Sequence, residues 1–152
     1  MPIADENANS KTDPGGDVEN TIPVLAVSDL QASIRFYRDV LGFKLDWGGE
    51  GDSSHIASVS RNGHAIMLQR RDPVAAGCVW IGGPMLVSLW DKIQSCGDDI
   101  VVQRPTNRYW ALEMKIRDPD GNILWCGTEP LKDVPFGSEP ADNQLPRRWA
   151  SL

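Results

Sequence analysis

The chain has 152 residues, 41% of them hydrophobic and 24% charged, a globular composition that speaks against a disordered or membrane-embedded chain. No apolar run approaches the roughly 18–20 residues of a transmembrane helix. The net charge of −6 sits mostly in the first twenty residues, where Asp5, Glu6, Asp13, Asp17 and Glu19 face only Lys11, and it argues against a nucleic-acid partner.

Residues 1–20 are polar and read as a disordered leader without the basic and apolar regions of a secretory signal. The cysteines Cys78, Cys96 and Cys126 are odd in number and form no CxxC, as expected of free thiols in a reducing cytoplasm. Order is expected to begin with an apolar strand over Ile22–Val27, at an edge or starting at Pro23, which has no N–H to give a ladder. Ser28 and Gln31 have capping-box spacing, so a helix opens there. Leu30, Ile34, Tyr37 and Leu41 form its apolar stripe, and Gly42 is its C′ residue. A strand over Phe43–Trp47, a Gly-rich loop and two strands joined at Asn62-Gly63 follow, and residues 70–77 are a linker.

The pattern then recurs. Cys78–Ile81 is an apolar strand, Pro84 stands at a helix first turn, Leu86, Leu89, Trp90 and Ile93 make an apolar face, and Gly97 ends it. Ile100–Val102 is a strand, and Leu112–Ile116 and Ile123–Cys126 flank the turn Arg117-Asp118-Pro119-Asp120-Gly121-Asn122. Leu112–Ile116 alternates as a half-buried strand does, whereas Ile123–Cys126 reads as buried on both faces. Corresponding points of the two halves are offset by 56 (Ile22 to Cys78), 55 (Gly42 to Gly97) and 58 (Gly63 to Gly121), so a strand–helix–strand–strand–strand unit is duplicated. Residues 129–152 form an extended C-terminal arm whose Trp149 is expected to dock on this chain or on a partner.

Three segments resemble the vicinal oxygen chelate superfamily, the glyoxalase and bleomycin-resistance-like proteins. They are Val27-Ser28-Asp29-Leu30 through Gly42-Phe43, Tyr109-Trp110-Ala111-Leu112-Glu113, and Arg117 to Asn122. The resemblance covers roughly residues 22–128. It implies an α+β fold of two βαβββ modules, about 21–70 and 77–128, within one domain over 21–128. Curved sheets in that family pair to form a cup, and many members are homodimers.

Catalytic members hold a divalent metal with His and Glu from the first and last strands of each module. Carried onto this chain, those positions are Ile22; Met67, Leu68 or Gln69; Cys78; and Trp125. Such side chains do not build a hard-cation site, so no metal or other cofactor is expected. His55 and His64 lie near opposite ends of one hairpin, and Asp118 with Asp120 reads as turn chemistry. No GxSxG, HExxH, P-loop or GxGxxG is present. Aromatic residues stand where a ligand would lie: Trp125 and Trp80 share strand parity, Trp47 and Trp110 lie at rims, and Trp90 fills core. Glu113 is either a polar anchor or an exposed sheet carboxylate.

The expected function is a metal-free, non-catalytic small-molecule-binding protein of the bleomycin-resistance type. It would sequester a planar or cationic ligand in a cup lined by Ile22, Met67, Cys78, Trp80, Trp110, Glu113 and Trp125. Its expected partners are that ligand and a second copy of itself, with no membrane. Two alternatives remain open: a superfamily lyase, isomerase or dioxygenase with a displaced metal at His55, His64 and Glu113, and a structural or regulatory module whose cup its own arm fills.

Overall fold

The computed structural model describes residues 12–97 and 99–147, so Trp149 lies outside the described residues. The first half contains β1 (Val24–Val27), α1 (Leu30–Asp39), β2 (Lys44–Gly48), β3 (Ile56–Arg61) and β4 (His64–Arg70). The second contains β5 (Cys78–Gly82), α2 (Met85–Cys96), β6 (Val101–Asn107), β7 (Leu112–Arg117) and β8 (Ile123–Thr128). Each half folds into its own four-stranded mixed sheet, ordered β1-β4-β3-β2 and β5-β8-β7-β6. The opening strand of each sheet pairs in parallel with the closing strand, and the remaining ladders are antiparallel. This is the α+β arrangement of two βαβββ units that the duplicated pattern implies. No helix among the described residues is long and apolar enough to cross a membrane.

Local chemistry explains most boundaries. Asp29, not Ser28, caps α1: its carboxylate accepts from Ala32 N at 3.0 Å, and the Gln31 side chain turns away to donate to Gly49 O at 2.7 Å. The helix ends as expected. Gly42 has φ +71°, its N–H donates to Arg38 O, and Phe43 N–H donates to Tyr37 O, so the left-handed glycine turns the chain back onto the last free carbonyls of the helix. Asn62 and Gly63 both take positive φ, as a tight hairpin turn joining twisted strands requires. Pro84 stands at the N-cap of α2 rather than inside its first turn. The strand expected at Ile100–Val102 runs on to Asn107 through Pro105. It can do so because β6 is the sheet edge and its register shifts between Gln103 and Thr106.

One apolar core spans both halves. Leu25, Val27, Val59 and Leu68 meet Leu30, Ile34 and Tyr37 of α1; Met114, Ile116, Leu124 and Cys126 belong to the same core as Leu86, Trp90 and Ile93 of α2. Burial pushes the Cys126 thiol up to about 12, so it behaves as a small apolar group. The β8 expectation needs correction. Leu124 and Cys126 are buried, but Ile123 and Trp125 are only half-buried, so one face of this sheet stays open.

The Asp118 turn locks the halves together. Asp118 Oδ1 accepts from Asp120 N and Asn122 N, both at 2.9 Å, as turn chemistry demands. Its Oδ2 accepts from Asn122 Nδ2 at 2.8 Å and from the Tyr37 hydroxyl of α1 at 3.0 Å. Asn122 also donates to Ala26 O at 2.8 Å and accepts from Gly77 N at 2.7 Å. Burial, then the Asp118 charge, push the Tyr37 phenol far above its ordinary pKa, so it remains a donor.

The arm packs on its own chain as far as Arg147. The buried Asn107 amide donates to Leu131 O and Val134 O and accepts from Leu131 N, and Val134 and Leu145 are buried. Arg147 then clamps Asp91 of α2 through bonds of 2.6 and 3.0 Å.

Candidate functional site

Strand parity and register place one set of side chains on the open face of the second sheet. Trp80 of β5 is opposite Trp125 of β8, Trp125 is opposite Lys115 of β7, and Gln103 of β6 is also opposite Lys115. Glu113 stands two residues before Lys115 and therefore shares its face.

Glu113 is 2% exposed and is the centre of the set. Its Oε2 accepts from the indole N–H of Trp125 at 2.7 Å and of Trp110 at 3.0 Å. Its Oε1 accepts from Gln103 Nε2 at 3.3 Å and lies 3.5 Å from Arg108 Nε. Burial by itself raises the Glu113 carboxyl. The bonds from Trp110, Trp125 and Gln103, with the Lys115 charge, outweigh burial and hold it below the usual carboxylate range. The carboxylate is thus ionised, and its two indole bonds fix two ring planes three and twelve residues away in sequence. It is not an exposed sheet residue.

The rings form a platform. Trp80 packs edge-on against Trp125 with centroids 5.2 Å apart and an interplanar angle of 82°. Tyr109 meets Trp110 edge-on at 4.8 Å. Trp80 and Trp110 keep about half their surface open, at 48% and 50% exposure. Two side-chain cations flank the rings: Lys115 Nζ stands 4.8 Å from the Trp125 centroid, and Arg108 Cζ stands 6.0 Å from that of Trp110.

Gly127, which sequence reasoning did not single out, seats Trp80. A Cβ on Gly127 would lie 2.0 Å from Trp80 Cη2 and 2.6 Å from Cζ2, so the indole lies directly over this backbone. Only the β5–β8 register reveals this. The Gly127→Ala substitution is expected to turn Trp80 off the platform and to cost about 1–3 kcal/mol of stability. Loss of the coupled-indole signal in near-ultraviolet circular dichroism is the check.

Of the seven residues expected to line the ligand site, Trp80, Trp110, Glu113 and Trp125 come together here. Cys78 is exposed on β5 two residues before Trp80, on the same face and opposite Ile123. Ile22 and Met67 stand with the other sheet. Met67 is half-buried between Val24 and Ser58, and Ile22 lines a separate cleft of ≈ 1310 Å³ that shares Trp80 with the platform. The cleft runs between the Asn62-Gly63 turn and the start of α2, and its Arg61 and Arg147 are already bound to Leu41 O and Asp91. Trp47 is half-exposed on β2, and Trp90 is buried, as core filling requires.

His55 and His64 are both exposed and occupy opposite ends of the β3–β4 hairpin, on the sheet that lacks Glu113. Among the described residues no three His, Cys, Asp or Glu side chains come together as a metal site.

Comparison with known proteins agrees with this architecture. Residues 21–76 match the model of the Glyoxalase/Bleomycin resistance protein/Dioxygenase superfamily. Over 112 residues, 66% of this chain and 77% of the relative, the sequence is 30% identical to Virulence protein STM3117 of Salmonella typhimurium. Two crystal structures share the fold at low identity. TioX from Micromonospora sp. ML1 has a TM-score of 0.63 at 16% identity, covering 74% of this chain and 99% of that one. The bleomycin-binding protein of Streptomyces verticillus, complexed with copper(II)-bleomycin, has a TM-score of 0.54 at 21% identity, covering 75% and 98%.

Proposed function

This chain belongs to the Glyoxalase/Bleomycin resistance protein/Dioxygenase superfamily, and we propose that within it the protein binds and sequesters a planar aromatic small molecule without making or breaking bonds. The observation that carries this reading is the Glu113 carboxylate held by two indole N–H groups, with three tryptophans arranged around it and two of them half open. A contiguous exposed aromatic patch on a soluble-type fold marks an interaction site. Rings anchored through N–H bonds are pre-organised, so a stacking ligand does not have to order them. A protein of the same fold is described as bleomycin-binding and was crystallised with copper(II)-bleomycin, which supports a small-molecule ligand.

Two observations weigh against a displaced-metal enzyme. The two histidines sit on the other sheet at opposite ends of a hairpin, and the oxygens of Glu113 are engaged by donors. The reading includes a homodimer acting in the cytoplasm, the former testable by light scattering on purified protein.

The test of the binding reading is a titration with a panel of planar aromatic compounds, followed by tryptophan emission. Saturable change is expected for at least one compound. Trp125→Ala should weaken that binding about tenfold, the loss of one ordered aromatic contact. No response across a chemically diverse panel would contradict the reading.

A further inference from the structure

We propose that the ligand of the tryptophan platform is an anionic planar aromatic, one carrying a carboxylate or sulfonate on its ring, rather than a cation. This inference rests on the binding reading above and specifies the charge of what is bound.

An aromatic cage that recognises a cation needs a free ring face and, usually, an available carboxylate. On this face the carboxylate is taken, and two of the three rings already carry a protein cation. Its carboxylate, Glu113, is 2% exposed, and both oxygens are occupied: Oε2 by two indole N–H groups, Oε1 by the Gln103 amide with the Arg108 guanidinium beside it. The ring positions that a cation would take already hold Lys115, 4.8 Å from the Trp125 centroid, and Arg108, 6.0 Å from that of Trp110. On Trp110 or Trp125 a cationic ligand would have to displace one of them and then face the other. Like-charge juxtaposition of that kind opposes binding.

The same groups suit an anion. Lys115 and Arg108 are the two cations flanking the rings, whereas the Glu113 charge lies beneath the face with its lone pairs taken by neutral donors, so the two cations outnumber it. Arg108 Nε is buried 3.5 Å from Glu113 Oε1, but the side chain is 37% exposed and its guanidinium donates no side-chain hydrogen bond among the described residues. The outer edge of the guanidinium therefore remains available to a carboxylate or sulfonate. A ring stacked on Trp80 or Trp110 with its acidic group directed at Arg108 and Lys115 satisfies both the apolar and the charged parts of the face. Glu113 then acts as a positioning residue, which sets the indoles and balances the two cations without touching the ligand.

Calorimetric titration of the full chain with three probes that share one ring system decides the matter: naphthoate, naphthamide and naphthyltrimethylammonium. Naphthoate is expected to bind about tenfold more tightly than naphthamide, the scale of one charge-assisted contact, and the trimethylammonium probe most weakly. Raising the ionic strength should weaken naphthoate and leave naphthamide nearly constant. Lys115→Gln and Arg108→Gln should each narrow the naphthoate-to-naphthamide ratio to below about threefold. Equal affinity for naphthoate and naphthamide, or tightest binding of the trimethylammonium probe, overturns the anionic assignment and leaves the platform reading standing. Failure of all three to bind overturns the anionic assignment, and the platform reading falls with it only if the diverse panel also gives no response.

Discussion

Replacing Asp118 by Ala is expected to lower the free energy of unfolding by about 3–5 kcal/mol, the largest loss for any single substitution considered. The carboxylate is 3% exposed and accepts four hydrogen bonds, two from turn backbone, one from Asn122 and one from Tyr37 of the other half. Truncation leaves the Tyr37 hydroxyl and the Asn122 N–H buried without acceptors, and an unsatisfied buried donor costs about 1–3 kcal/mol. Tyr37→Phe removes a donor together with its need and should cost only about 1–1.5 kcal/mol. In the double variant the two losses should fall short of their sum by about 1 kcal/mol or more, because they share one bond. Urea denaturation measures all three. A loss below about 1 kcal/mol for Asp118→Ala would show that the turn does not lock the halves.

Glu113→Gln carries the second large effect, about 2–3 kcal/mol in stability and at least about tenfold in ligand affinity. The amide oxygen can take the place of Oε2, but without its charge both indole bonds weaken, and the N–H₂ beside it faces the Arg108 guanidinium, which is also a donor. The indoles are then held less firmly, and the platform loosens. The pH dependence follows from the depressed carboxyl. Because the folded-state pKa lies below the ordinary value of 4.5, the stabilisation is complete above 4.5 and is lost as pH falls through the lower folded value. In the wild type, the near-ultraviolet dichroism of the coupled indoles should therefore decay with a midpoint below pH 4.5. Glu113→Gln should lack that transition. A variant with wild-type dichroism and affinity would contradict the positioning role.

Much of the frame could be read from the chain because it depends on local chemistry. Gly42, Asn62-Gly63 and Gly97 punctuate elements wherever they occur, and their near-constant offset reveals the duplication. The family resemblance put ligand positions at Cys78 and Trp125, and parity with Cys78 added Trp80 to that face before any register was known. What escaped was non-local. Asp118 was legible as a turn residue, but its second oxygen meets a hydroxyl 81 residues away. Glu113 was legible as a polar anchor or an exposed sheet carboxylate, with Trp110 three residues away, but its second indole donor, Trp125, comes from the next strand. Gly127 became visible only when the β5–β8 register laid Trp80 across it. Ser28 and Gln31 had capping-box spacing, yet Gln31 found a better acceptor at Gly49, which lies across a loop. Ile22 and Met67 occupy the positions that the family pattern assigns to ligands, but they lie with the other half, where Met67 shares its face with Trp47 and the buried Ser58 and no carboxylate ties indoles together.

If Glu113 fixes Trp110 and Trp125 as a platform for a planar ligand, the indole N–H resonances of nitrogen-labelled protein report it directly during addition of naphthoate. The Trp110 and Trp125 signals should be protected from solvent exchange in the free protein, they and the Trp80 signal should shift together on titration, and the buried Trp90 signal should stay fixed. Rapid exchange at Trp110 and Trp125, or ligand-induced shifts confined to Trp47 or Trp90, would contradict the platform.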